Sequence, residues 1–252
     1  MTTTAPWRQH LRLLAAPPEA RARIVCVAPA GGGASTFQPW AVDPPQGVEI
    51  WAVQLPGRED RLQEAPFTDV TEAARRVAMA LQWLVDRPCV VFGHSLGALI
   101  GYEAVRVLAA QGTDGVSHLV VSGCRPPDSH RPRPELVRSD QDAVDELARL
   151  GLSPSAFDDQ ETRSVVLPAM RGDLRMFYSY EHRSGATPAC PIIALAGDED
   201  PHVSEVDLLG WRRHTSATTT TAVLPGGHHY LADVHPRIVQ MIVEAVGDTI
   251  SG

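Results

Sequence analysis

The chain of 252 residues contains 44% hydrophobic and 21% charged residues, a composition typical of a folded globular protein. Its 22 basic residues, all of them arginine, are outnumbered by 30 acidic residues, and the net charge of −8 argues against a general nucleic-acid binder. The absence of lysine excludes mechanisms that need a Schiff-base or P-loop lysine.

The sequence carries no signal for a membrane, for secretion or for a metal. No stretch approaches the roughly 20 apolar residues that cross a bilayer, and the first residues, Met1–Leu14, lack the apolar core of a signal peptide. We therefore expect a cytoplasmic protein. The four cysteines form no CxxC pair, so we expect no zinc site, no redox motif and no cofactor.

Short apolar runs alternate with helical patterns along the chain. Continuous apolar runs predict strands that are covered on both faces: these are Ile24–Ala28, Val48–Leu55, Cys89–Phe92, Leu119–Ser122, Ile192–Ala196 and Thr219–Leu224. Apolar residues at helical spacing predict helices over Val70–Val85, Ala98–Ala110 and Val234–Val246. This alternation predicts an α/β fold with a mostly parallel sheet flanked by helices.

One segment, at about 126–188, interrupts the alternation and is too long for a loop. Its pattern predicts helices over Asp140–Leu150 and from Asp158 to about Tyr180, with a break at Pro168. We interpret it as a helical lid inserted into a single domain that spans residues 1–252. The alternative is a second small helical domain packed on the edge of the sheet.

The strongest chemical signal is the GxSxG sequence at Gly93–Gly97. A predicted strand precedes it and a predicted helix follows it, which is the setting that a nucleophile elbow requires. The turn would present the hydroxyl of Ser95 at the N-terminus of the helix. We therefore predict that Ser95 is a nucleophile.

A serine nucleophile needs a base and an acid, which follow it in the order acid, base in elbow folds. His228 comes after the last predicted strand and is the predicted base, with His229 as the alternative. The preceding strand leads into Gly197–Pro201, where Asp200 is the predicted acid and Asp198 the alternative. The acid would hold the histidine tautomer.

The oxyanion of an acyl-transfer reaction needs hydrogen-bond donors. The backbone N–H of Leu96, directly after the nucleophile, is one candidate. The glycine-rich loop Ala28–Gly33, after the first predicted strand, is the candidate for the second donor. The same loop lacks the GK[ST] ending and the full GxGxxG spacing of nucleotide-binding loops.

Six motifs together resemble the type II thioesterases of polyketide and non-ribosomal peptide biosynthesis, within the α/β-hydrolase superfamily. They span nearly the whole chain and are Pro29–Gly33, Leu55–Glu59, Gly93–Gly97, Arg171–Asp173, Gly197–Pro201 and Gly226–His228. Three positions depart from the family pattern: Ala30 replaces a histidine, Leu96 a methionine and His229 a phenylalanine. The departures bear on substrate preference more than on hydrolysis.

The resemblance implies an α/β-hydrolase fold and a serine thioesterase with the triad Ser95, Asp200 and His228. The N–H groups of Gly31 and Leu96 would bind the oxyanion. The substrate would be an acyl group on the phosphopantetheine arm of an acyl or peptidyl carrier protein, and the role would be editing of stalled chains. Rival interpretations are an esterase or acyltransferase of the same fold, or a non-catalytic module that binds carrier proteins.

The inserted segment offers candidates for substrate and partner contacts. Arg58 and Asp173 are candidates for a structural ion pair. Candidates for the wall of an acyl chamber include Leu167, Met170 and Phe177, together with Leu152, Phe157, Leu174 and Met176. A cluster of arginines is a candidate for docking an acidic carrier protein or, alternatively, a solvated loop: Arg125, Arg131, Arg133 and Arg138.

Overall fold

A single mixed sheet organises the protein, of which the computed structural model describes residues 6–151, 153, 155 and 158–250. Its strands are β1 (Leu11–Ala15), β2 (Ala22–Val27), β3 (Val48–Val53), β4 (Cys89–His94), β5 (Val116–Ser122), β6 (Ile192–Gly197) and β7 (Thr219–Leu224). Their order in the sheet is β1-β3-β2-β4-β5-β6-β7. All neighbours are parallel except β1 and β3. The predicted mostly parallel sheet is confirmed, with β1 as an antiparallel edge strand that the prediction lacked.

Helices cover both faces of this sheet, as the continuous apolar strands require. They are α1 (Val70–Leu81), α2 (Leu96–Ala110), α3 (Asp140–Arg149), α4 (Gln160–Ser179), α5 (Glu205–Gly210) and α6 (Leu231–Ile250). Residues of α1, α2 and α5 pack with Val25 of β2 on one face. Residues of α6 pack with Ile24 on the other face. None of the described helices is long and apolar enough to cross a membrane.

The inserted segment carries α3 and α4 and builds a small apolar core of its own. Ser139 caps the N-terminus of α3, and its side chain accepts the N–H of Asp142 in a reciprocal capping box. Apolar side chains of the two helices meet in a cluster that includes Val144, Leu147 and Leu174. Near its C-terminal end, α4 also contributes Met176 to the main core. A single domain with an inserted lid remains our proposal.

Helix α4 runs through Pro168 without interruption, so the predicted break at this residue is wrong. Proline removes one helical hydrogen bond. Here Pro168 lies on the exposed face of the helix. Its neighbour Leu167 is fully buried in the apolar cluster with α3. This packing outweighs the loss of one bond.

Candidate active site

Ser95 occupies the sharp turn between β4 and α2, with φ 54° and ψ −118°. Few residues other than glycine adopt this region, at a cost of about 1–3 kcal/mol. The N–H of Ser95 donates to the carbonyl of Ser122 at 2.8 Å and holds the turn in place. A Cβ at Gly93 would overlap the backbone of Gly97, and one at Gly97 would overlap the carbonyl of Val27. Both glycines are therefore needed for the turn to pack.

His228 lies beside this hydroxyl, in the loop after β7. Its Nε2 is 3.2 Å from Oγ of Ser95, and the residue is 5% exposed. The neighbouring His229 is exposed, and its ring lies edge-on to that of His228 at 5.3 Å between centroids. Of the two candidate bases, the structure therefore brings His228 to the serine.

Asp200 completes the constellation from the loop after β6. Its Oδ2 is 2.8 Å from Nδ1 of His228, and its Oδ1 accepts the N–H of His202 at 2.8 Å. Asp198 is oriented differently, and its Oδ1 accepts the N–H of Gly226 at 2.8 Å. Asp198 thus ties the acid loop to the histidine loop, while Asp200 holds the ring.

The electrostatics of the pair fix the histidine tautomer. Burial alone would raise the pKa of Asp200, but the hydrogen bond and electrostatic interaction with the His228 ring, together with the N–H of His202, outweigh burial, and the pKa is lowered from its ordinary value. The carboxyl is therefore ionised near neutral pH and accepts the Nδ1–H of His228. This leaves Nε2 free to accept the proton of Ser95 Oγ.

Behind the triad lies a buried series of hydrogen-bonded polar side chains. The sequence analysis did not single out this series. Nδ1 of His94 is 2.9 Å from Oγ of Ser122, which is 2.6 Å from the hydroxyl of Tyr230. The ring of His94 packs against that of His228 at 5.2 Å between centroids. Burial lowers the pKa of His94, so the ring is neutral and adds no positive charge beside the base. The sequence did contain a signal for this histidine, because His94 lies inside the GxSxG motif.

Leu96 is the first residue of α2, where backbone N–H groups have no partner within the helix. It lines the same cavity as Ser95. The N–H of Gly31, the other predicted oxyanion donor, donates instead to Oδ2 of Asp173 at 2.8 Å. The assignment of Gly31 as an oxyanion donor is therefore corrected, because its N–H is already hydrogen-bonded to a carboxylate. Its neighbour Ala30 lines the cavity, and no described residue accepts a hydrogen bond from the Ala30 N–H.

Arg58 and Asp173 form the predicted ion pair, which is confirmed. Nη2 of Arg58 donates to Oδ1 of Asp173 at 2.8 Å, and Nη1 donates to Oδ2. Nη1 also donates to the carbonyl of Gly32 at 3.1 Å. Asp173 is 0% exposed and Arg58 5% exposed. The pair joins α4, the loop after β3 and the glycine-rich loop next to the nucleophile.

Removing this carboxylate is expected to destabilise the protein strongly. Asp173→Ala leaves the buried guanidinium of Arg58 and the N–H of Gly31 without their acceptor. Loss of one partner of a buried pair costs about 3–5 kcal/mol. The matched control is Arg171→Ala in the same helix, whose ion pair with Asp140 is exposed, and which we expect to cost at most about 1 kcal/mol. Urea unfolding measures both, and equal losses would contradict a structural role for the buried pair.

A cavity of about 340 Å³ opens above Ser95 and His228. Two of the predicted wall residues, Leu174 and Phe177, line it. The other walls come from the ends of β4 and β5, the start of the inserted segment, and α3. This cavity is large enough for a short acyl chain and the end of a pantetheine arm.

Other predicted wall residues lie elsewhere. Leu167 is buried between the lid helices and not on the cavity, and Met170 packs against Gly31. Met176 belongs to the main core. The predictions that Leu167, Met170 and Met176 line the cavity are therefore corrected. The inward face of α4 is shared by the lid core, the main core and the cavity. Leu152 and Phe157 lie outside the described residues.

Besides the serine, the described part of the cavity wall contains a cysteine thiol. Cys124 lines the cavity, but burial raises the pKa of its thiol, which therefore stays protonated and a poor nucleophile. No three His, Cys, Asp or Glu side chains among the described residues are grouped to hold a metal ion. We propose Ser95, whose Oγ lies 3.2 Å from Nε2 of His228, as the nucleophile of this cavity.

Comparisons with known proteins agree with this geometry. The thioesterase domain family matches residues 22–246. The chain is 37% identical to thioesterase PikA5 of Streptomyces venezuelae over 218 residues, covering 86% of this chain and 78% of PikA5.

Solved structures give the same result. The type II thioesterase BorB from the borrelidin biosynthetic cluster is 35% identical with a TM-score of 0.84, covering 97% of this chain and 99% of BorB. YbtT, a type II thioesterase from the yersiniabactin NRPS/PKS biosynthetic pathway, is 28% identical with a TM-score of 0.86, covering 96% of this chain and 99% of YbtT. The chain belongs to the thioesterase family, and it is a thioester hydrolase with the α/β-hydrolase fold.

Proposed function

We propose that the protein hydrolyses acyl groups from the phosphopantetheine arm of acyl or peptidyl carrier proteins, as an editing enzyme of a polyketide or non-ribosomal peptide pathway. The observation that carries the proposal is the continuous hydrogen-bonded series from Asp200 through His228 to Ser95, at the floor of the cavity. The relatives named for such pathways support the substrate class.

The reaction begins with attack of Ser95 Oγ on the thioester carbonyl while His228 Nε2 takes the hydroxyl proton. The intermediate collapses, the C–S bond breaks, and the pantetheine thiol leaves with the proton from His228. Water then attacks the acyl-serine, again giving a proton to His228. Collapse of this second intermediate releases the free acid and returns the proton to Ser95. Asp200 stabilises the imidazolium that forms in each half-reaction.

The oxyanion of both intermediates is bound by backbone N–H groups in this proposal. Leu96 supplies one donor from the start of α2. Ala30 replaces Gly31 as the second donor, because the Gly31 N–H is bonded to Asp173 while Ala30 faces the cavity. The buried Arg58–Asp173 pair then holds the loop that carries Ala30 in place. Preorganised donors of this kind contribute about 3–4 kcal/mol each to catalysis.

The substrate class is tested with one acyl group on four leaving groups. Propionyl-carrier protein, propionyl-coenzyme A, propionyl-pantetheine and a propionyl oxygen ester are compared by kcat/KM, and products are identified as free acid or transferred acyl group. We expect hydrolysis, with the carrier-bound thioester preferred. Preference for the oxygen ester would favour an esterase, and transfer to an added alcohol or amine would favour an acyltransferase. Carrier binding without turnover would indicate a binding module.

A further inference from the structure

We propose that Arg125, Arg131 and Arg133 form an anion-binding subsite in the cavity that contains Ser95. Resting on the proposed function, this inference names what the site recognises besides the thioester. The ligand is an oxyanion carried by the substrate, either the phosphate of the phosphopantetheine arm or a carboxylate on the acyl group. Both present the planar oxygen pairs that a guanidinium binds with two hydrogen bonds.

The three arginines lie on the cavity wall together with Ser95 and His228. They come from the segment that follows β5, and each of them is exposed. The backbone of this segment is fixed, because the N–H of Arg133 donates to the carbonyl of Tyr178 in α4 at 2.7 Å. The loop that carries the three arginines is therefore anchored to α4 beside the cavity.

None of the ion pairs in the described part of the chain includes these arginines. Among the described residues, the side chains of these three arginines donate hydrogen bonds only from Nη1 of Arg131, to the carbonyls of Asp128 and His130 at 2.8 and 2.9 Å. The carboxylate of Asp128 is itself paired with Arg213 and His214. Glu135, the other acid between Arg125 and Arg138, forms no ion pair with them in the described part of the chain.

The remaining charges on the cavity wall compensate one another. Glu146 lines the cavity and accepts from Arg149, the fourth arginine of the wall, at 2.8 Å, and also from the hydroxyl of Tyr178. Burial lowers the pKa of the wall residue His130 to about 4, so its ring is neutral near pH 7. The wall thus carries three arginines that form no ion pair with a described residue, in a chain whose net charge is −8. Positive charges around a concave site concentrate anions there.

The sequence analysis treated four arginines as one candidate surface for carrier docking, and this assignment separates three on the cavity wall from one outside it. Arg138 belongs to the same stretch and is exposed, but it lies outside the cavity wall. The three wall arginines would bind the substrate itself and not the surface of its carrier. Arg138 is therefore the matched control, because it has the same side chain and exposure without the cavity.

The test uses small thioesters that have no protein surface. Propionyl-pantetheine is the neutral reference, propionyl-4′-phosphopantetheine adds the phosphate, and methylmalonyl-pantetheine adds a carboxylate to the acyl group. The kcat/KM ratio of each anionic compound to the reference is measured for the native protein, for the double variant Arg125→Gln/Arg133→Gln and for Arg138→Gln. Titration of Ser95→Ala with the same compounds gives the ratio of affinities without turnover.

We expect one of the anionic compounds to be preferred by about tenfold or more, the factor expected from one charge-assisted hydrogen bond. The preferred compound identifies the source of the anion. The double variant, which keeps Arg131, should lower this ratio severalfold, whereas Arg138→Gln should keep the native ratio. The native ratio should also fall with added salt. Each single variant, Arg125→Gln and Arg133→Gln, replaces the double variant if thermal unfolding shows that the latter is not folded.

Two results would overturn the proposal: kcat/KM ratios near one for both anionic compounds in the native protein, or a ratio that the double variant leaves unchanged. Failure of the proposed function gives a different pattern, in which the neutral propionyl-pantetheine is not hydrolysed in a Ser95-dependent way. The affinity ratio of Ser95→Ala still decides the anion subsite in that case.

Discussion

Replacing Ser95 with alanine is expected to lower kcat for thioester hydrolysis by at least about 10³-fold, and by up to about 10⁶-fold. The variant removes the atom that attacks the carbonyl, so no acyl-enzyme can form. The fold is expected to persist, because the backbone bond from residue 95 to the carbonyl of Ser122 does not involve the hydroxyl. Steady-state kinetics with the carrier-bound thioester measures the loss, and urea unfolding measures stability.

Ser129→Ala is the matched control, since this serine lines the same cavity and its hydroxyl donates only to the carbonyl of Pro126 at 2.7 Å among the described residues. We expect it to keep near-native kcat. A Ser95→Ala variant that is folded and retains native turnover would show that the reaction does not pass through this serine.

The second large effect is expected at Asp200. Asp200→Asn should lower kcat by about 10⁴-fold, because the amide no longer holds the His228 tautomer in which Nε2 accepts the serine proton. Asp198→Asn is the control two residues earlier. Its Oδ1 accepts the N–H of Gly226, and the oxygen of asparagine can accept the same bond. We therefore expect a small effect there, measured as kcat at a fixed pH near 7.

A large loss at Asp198 with none at Asp200 would contradict the geometry of the acid loop. Similar losses at both positions would also contradict it, since they would assign the effect to the shape of the loop. The ratio of the two losses is therefore the informative quantity.

Much of the triad could be predicted because its signals are local in sequence. The GxSxG turn is a five-residue pattern, and a mostly apolar strand and helix flank it directly in sequence. The acid follows the buried strand β6 and the base follows the edge strand β7, and parallel strands place their carboxyl ends at one edge of the sheet. The ambiguity between His228 and His229 needed coordinates, because adjacent side chains differ only in direction.

Contacts between distant segments were not predictable in the same way. The bond between Gly31 and Asp173 joins residues 142 positions apart, so the sequence could indicate the loop but not that its donor is occupied. Strand β1 was missed because Leu11–Ala15 is short and lies at the sheet edge, where only part of the strand is buried. The division of α4 among the lid core, the main core and the cavity depends on how the lid packs on the sheet.

The central claim is that Ser95 is the group that becomes acylated, and a covalent serine reagent tests it most directly. An alkyl fluorophosphonate transfers its phosphonyl group to an activated serine without a hydrolysis step that would remove the label. The account predicts one phosphonyl group per chain, located by peptide mass spectrometry on Ser95, with thioesterase activity lost in proportion to labelling and no label on Ser95→Ala. Labelling of a different residue, or full activity after Ser95 is labelled, would contradict it.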